Sequence, residues 1–397
     1  MPDSSPFHNS ATVPYWRLSS FYFFYFALLG AWLPYWPLYL QERGFSPEKI
    51  GYIAGIMVAT KIIAPNIWGY VADRTRRRMQ VIRMGSLLSC LIFMAIFVRQ
   101  DFYWLAVVIA GYSFFWNAVL AQFEVATLSH LGGRYQRYSQ IRVWGSIGFI
   151  IAVATLGLFF DYFPVSWLPW FVAVMLVGIW ISSLLVAEHP DERFRTRERK
   201  PLYSVLKQPV VIAFFAVCFL LQVSHGPYYT FFSVYLVDHG FSRTVTGTLW
   251  SLGVLAEVGV FIVMHQLVRR FNWYQIMMAS LVLAMIRWWL IAYFVDHTGI
   301  LIFAQLLHAA SFGSFHAYAV DVVRRVFPEG LQGQGMALYS ALSFGAGGAV
   351  GAVASGWLWE FDPVLTFVVA GFACLLALMI GPLLKGLPGH HHLATSA

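Results

Sequence analysis

The chain has 397 residues, 59% of them hydrophobic and only 11% charged, with a mean hydropathy of +0.66. A soluble globule of this size needs more polar surface, so the composition specifies an integral membrane protein. The formal net charge of +8 would suit nucleic acid only if the arginines clustered on a water-facing element, but they fall between apolar segments and no nucleic-acid partner is expected.

The first 14 residues are polar, and the apolar stretch after them is too long and too aromatic for a cleavable signal, so it is expected to stay as the first span. A bilayer core takes about 20 apolar residues per helix. Twelve such segments follow in order, near 16–40, 47–72, 80–98, 102–129, 138–160, 165–187, 209–237, 244–268, 273–295, 299–325, 333–358 and 364–384. The fold expected is all-α, with six helices in 1–187, a polar linker at 188–208 and six helices in 209–397. YLQERGFSPEKIG (39–51) returns as YLVDHGFSRTVTG (235–247) at an offset of 196, near half the chain length, as duplication of a large unit would give. Nineteen of the 26 Lys and Arg lie in the termini, the linker and the even-numbered loops, which puts both termini in the cytoplasm by the positive-inside rule. Cys90, Cys218 and Cys374 each stand alone, so neither a disulfide nor a metal site is expected.

Two parallel six-helix repeats joined by a basic linker resemble the major facilitator architecture. GYVADRTRRR (69–78) resembles that superfamily's GxxxDRxGRR signature, with Thr75 and Arg76 shifting the glycine and basic positions. Physically, Gly69 lets helices approach, while Asp73 with Arg74, Arg77 and Arg78 forms a charge network able to latch one conformation. The plainer reading is a positive-inside anchor, but an acid stands where topology asks for bases. The matching turn in the second half, HQLVRRF (265–271), lacks the acid.

Charges inside spans are costly and mark functional positions. Lys61 and Glu257 differ by 196, so they occupy equivalent places and are expected to face one cavity. Glu124 and Arg142 flank one tight turn and are expected to meet across antiparallel neighbours. YSQIRVWGSIGFI (138–150), SHGPYYTFFSVYL (224–236), LWSLGVLAEVGVFI (249–262), IRWWLIA (286–292) and LLHAASFGSFHA (306–317) together resemble the phenylpropionate permease-like branch of the major facilitators, related to the lactose and nucleoside proton symporters. That resemblance implies substrate contacts from Glu124 and Arg142, which match an acid and an arginine of the lactose relatives by position. It does not carry over the lactose-type lysine, histidine and glutamate cluster, because His308, His316 and Asp321 stand at other spacings.

A carboxylate in a low-dielectric cavity can exchange protons near neutral pH. Glu257 is the first candidate, Asp321 the second unless it pairs with Arg324 and Arg325, and His225, His308 and His316 are possible relays. Gly226 and Pro227 break the helix beside His225 and expose backbone to a cavity. Trp32 and Tyr228, equivalent under the repeat, are expected to oppose each other on the pathway. Aromatics beside Arg142, Lys61 and Arg287 suit a small aromatic carboxylate, though a sugar or nucleoside ring also stacks on Trp and Tyr. FGAGGAVGAVASG (344–356) has glycines, but no strand or Lys-Ser/Thr follows, so nucleotide-driven transport has no support. His390, His391 and His392 read as a solvated tail. No clustered nucleophile, base or metal ligands point to an enzyme, and no cofactor is implied. The expectation is proton-coupled symport of a small organic acid across the inner membrane by a monomer. The alternatives are a sugar or nucleoside symporter, or a proton antiporter.

Overall fold

The structure, a computed structural model, describes residues 13–132, 134, 136–188, 202–328 and 330–387. Most of the expected linker and the histidine tail fall outside them. Twelve helices are long and apolar enough to cross a membrane: α1 (Tyr15–Glu42), α2 (Pro47–Thr75), α3 (Arg78–Phe97), α4 (Phe102–Leu131), α5 (Gln136–Tyr162), α6 (Val165–Leu184), α7 (Pro209–Asp238), α8 (Arg243–Arg270), α9 (Trp273–Tyr293), α10 (Thr298–Val326), α11 (Gln332–Phe361) and α12 (Pro363–Gly386). The all-α membrane class is borne out, and no strand occurs among the described residues.

The repeated loop has a local cause. Gly44 and Gly240 adopt left-handed φ of +79° and +81°, which a glycine enters without a Cβ penalty. The next amide then reaches back to the helix it has left, Phe45 N–H to Leu40 O at 3.1 Å and Phe241 N–H to Leu236 O at 3.0 Å. Ser46 and Ser242 start the following helices by accepting the Lys49 and Val245 amides. Each copy of the motif is therefore one helix stop plus one helix start.

α1 packs on α5 and α6, and α2 and α3 on α4; in the second set α9 and α7 pack on α12, and α8 and α9 on α10. The two sets meet along α2 with α11 and α5 with α8. The hydrogen bonds between them lie at the end bearing Gly44 and Gly240. Asp161 of α5 accepts the first two amides of α8, Arg243 N–H at 2.7 Å and Thr244 N–H at 3.1 Å, so a carboxylate caps a helix of the other set. Arg243 also donates to Glu42 Oε1 at 3.0 Å, Gln41 to Asp238 Oδ1 at 3.2 Å and Trp357 to Tyr52 at 3.0 Å.

At this end Gly51 of α2 crosses α11 so closely that a Cβ would stand 2.8 Å from both Ala352 O and Gly356 Cα. Both are backbone atoms, which do not move aside. Gly51→Leu should hold this end open at an overpacking cost of about 1–3 kcal/mol, a shift of about fivefold to a hundredfold in population. A cysteine pair replacing Gln41 and Asp238 should crosslink in the parent and not with Gly51→Leu; equal crosslinking would show that the helices part elsewhere.

Candidate functional site

Arg142 is set by helical spacing. Gly145, almost a turn further along α5, leaves the space its guanidinium occupies, since a Cβ there would meet Arg142 Nη1 at 2.6 Å. The freed guanidinium lies 3.9 Å from the ring centre of Phe26 and 5.6 Å from that of Tyr22, both on α1. Such cation–π contacts are worth roughly 0.5–2 kcal/mol and hold the group without neutralising it. Tyr25 stacks parallel on Trp116 of α4 at 4.7 Å and 9°, and Tyr22 donates to Thr127 at 3.2 Å. Glu124 lies in the electrostatic reach of both Arg142 and the Tyr138 hydroxyl. Glu124 and Arg142 form no ion pair among the described residues, and Tyr138, which sequence reasoning missed, stands with them. Its signal was the four-residue spacing to Arg142, which puts both on one helix face.

Across the interface, Glu257 of α8 feels the charge of Arg142 and stands 4.0 Å from His308 Nε2, with 21% of its side chain exposed. It does not meet Lys61. That lysine is half-buried and has no ion pair or hydrogen bond among the described residues.

The last six helices hold a second aromatic cluster. Tyr228 packs on Trp250 at 4.4 Å and donates to Gln305 Oε1 at 2.9 Å, while Arg287 lies 4.2 Å above the Tyr228 ring. His225 ends the first segment of α7, its Nδ1 2.8 Å from Leu221 O, and its ring meets Trp288 edge-on at 4.9 Å. His308 and His316 sandwich Phe312 with nearly parallel rings, and His316 Nδ1 is 3.0 Å from the Tyr339 hydroxyl. Sequence reasoning missed Gln305 and Trp250; Gln305 is three residues from His308, and that spacing was the available signal.

Other residues sit apart. Trp32 stacks on Trp36 at 4.1 Å and packs near Tyr112, so it and Tyr228 lie in separate aromatic clusters, one in each set of helices. Asp321 is taken by Arg325 at 2.6 Å, one turn on. In the signature segment Asp73 pairs with Arg78 at 2.7 Å, Arg78 also donates to Gln122 of α4, and a Cβ at Gly69 would be 3.3 Å from the Gln122 amide nitrogen. Arg74 donates to Tyr70 at 2.9 Å, and Arg77 is exposed at the break before α3. The Asp73, Arg78 and Gln122 contacts join α2, α3 and α4, and the Arg74 contact stays within α2.

Residues 15–369 match the MFS_1 like family. A probable 3-phenylpropionic acid transporter of Escherichia coli (strain K12) is 28% identical over 91% of this chain and 95% of its own length. The maltose permease of Geobacillus stearothermophilus is 24% identical over 90% of this chain and 93% of its own. Among solved structures, a variant of the nucleoside transporter NupG aligns with a TM-score of 0.84 at 17% identity, covering 92% of this chain and 98% of that one. That last likeness concerns the fold.

Proposed function

Because the chain belongs to the MFS_1 like family, and so is a membrane transporter of the major facilitator type, we propose that it carries a small aromatic carboxylate inward together with a proton. The observation that carries this reading is Arg142, a cation held by aromatic rings and in no ion pair among the described residues, within the field of Glu257 on the opposite half. Residues 1–187 and 209–397 rock as two units about that level, with both termini in the cytoplasm of an inner-membrane monomer. The conformation described is then the inward-open one, since the hydrogen bonds between the sets lie at the far end. Lys61, His225 and Tyr228 line the substrate path in this reading, and Trp32 backs it through the α1 stack. Glu257 carries the proton, His308 relays it, and His316 and Asp321 are subsidiary, the latter through its pair with Arg325. Gly69, Asp73, Arg74, Arg77 and Arg78 form the cytoplasmic latch, disengaged from the other half in this state.

A sugar or nucleoside is the second reading. Glu124 and Tyr138 beside Arg142 supply an acceptor and a hydroxyl suited to ligand hydroxyl groups, and relatives of this chain include a maltose permease. Counterflow in proteoliposomes with labelled 3-phenylpropionate, maltose and a nucleoside decides between them. Exchange of the acid alone is expected, and exchange of maltose or the nucleoside without the acid would replace the reading.

A further inference from the structure

Arg287 is fully buried, with 0% of its surface exposed. Its Nε donates to Ala304 O at 3.0 Å and its Nη2 to Gln305 Oε1 at 3.4 Å, and Tyr228 and Trp288 lie 4.2 and 4.5 Å from the guanidinium carbon. Its remaining nitrogen, Nη1, has no protein acceptor, and neither has the Gln305 amide nitrogen. The Gln305 orientation is fixed, since its oxygen already accepts from Tyr228 and Arg287. His308 Nδ1 is likewise unpartnered, and it donates when the ring carries both protons. No carboxylate among the described residues forms an ion pair with Arg287; the facing acid on α8, Glu257, stops at His308. Buried cations are ordinarily paired. Here a buried cation and the amide beside it each leave a donor with no acceptor among the described residues.

We propose that Arg287 and Gln305 form a second set of carboxylate contacts, in the last six helices and across the interface from Arg142. It rests on the reading of the substrate as an acid and extends it: one cation from each half holds the ligand, so closure of the halves depends on the carboxylate. Gly253 of α8 packs against the cluster, so the site opens only when α8 moves away. A Cβ there would be 3.4 Å from Gln305 Oε1 and 3.7 Å from the Tyr228 hydroxyl, ordinary contact for a methyl group but no room for more. Irregular backbone adjoins on two sides, the break in α7 at His225 and the π-helical stretch Ala309–Ser314 of α10, and both give the surrounding helices freedom to part.

The test is calorimetric binding of 3-phenylpropionate, its amide and chloride to the full-length protein, with thermal unfolding reporting the folding of each variant. Arg287→Lys and Gln305→Leu should each weaken the acid by about tenfold or more and leave the amide unchanged. Gly253→Leu, which removes no polar group, should lose the acid, and Gly253→Ala should keep it; this pair carries the test if Arg287→Lys does not fold. Acid binding at wild-type strength in Arg287→Lys and Gly253→Leu would overturn the site, as would chloride matching the acid. Acid preference lost in Arg287→Lys but kept in Arg142→Lys would uphold this site and remove the Arg142 anchor. Acid and amide binding the wild type equally would defeat the acid reading itself, and this assignment with it.

Discussion

Arg142→Lys should weaken binding of an aromatic carboxylate by about tenfold to a hundredfold although the charge is preserved. The guanidinium carbon lies 3.9 Å from the Phe26 ring centre, and a guanidinium carries a fork of donors that can grip two carboxylate oxygens in parallel. An ammonium is a point charge that forms no such fork and stacks less well on a ring. The acid and its amide, titrated against wild type and variant, give the measurement: the acid should lose affinity and the amide should not. If the ligand is a neutral sugar or nucleoside, Arg142 acts with Glu124, and substitution at either should cost about equally. An amide that binds the wild type as well as the acid does would select that alternative.

Glu257→Gln should abolish uphill accumulation while leaving exchange intact. Glutamine keeps the shape of the side chain beside His308, 4.0 Å away, but cannot load or release a proton. Counterflow, which needs only loaded reorientation, should persist in this variant, and uptake driven by a pH gradient should fall to the passive level. Full accumulation in Glu257→Gln would move coupling to a histidine, with His308 next to be tested because it bridges Glu257 and the Arg287 cluster.

Much of the fold was legible because a bilayer leaves few options: backbone groups must be paired within helices, so length and apolarity alone mark each span. The expected first segment, 16–40, lies inside Tyr15–Glu42, and the break beside Gly226 and Pro227 is where the chemistry of those residues put it. The π-helical stretches Ala309–Ser314 and Ser340–Gly347 were not legible, since one extra residue in a turn leaves apolar composition unchanged. The site was legible in its charges and less so in their partners. An offset of 196 relates Lys61 to Glu257 along the chain, but an offset does not name partners: the glutamate lies beside His308, and the lysine forms no ion pair among the described residues. Arg287 shows the same limit: the run IRWW places a cation among aromatics, but only packing decides that α7 and α10 surround it. Asp321 was the reverse case, where a basic residue one turn along the same helix, Arg325, was its partner.

The central claim is that an inward proton gradient drives an aromatic carboxylate through this protein. The direct measurement is 3-phenylpropionate uptake into proteoliposomes with an acidic exterior, read beside a proton-sensitive dye inside, with protein-free and Glu257→Gln vesicles setting the passive level of a weak acid. Accumulation above that level, matched by extra internal acidification and collapsed by a protonophore, is the predicted result. Uptake by the wild type that equals the passive level, or that is indifferent to the pH gradient, would contradict the account.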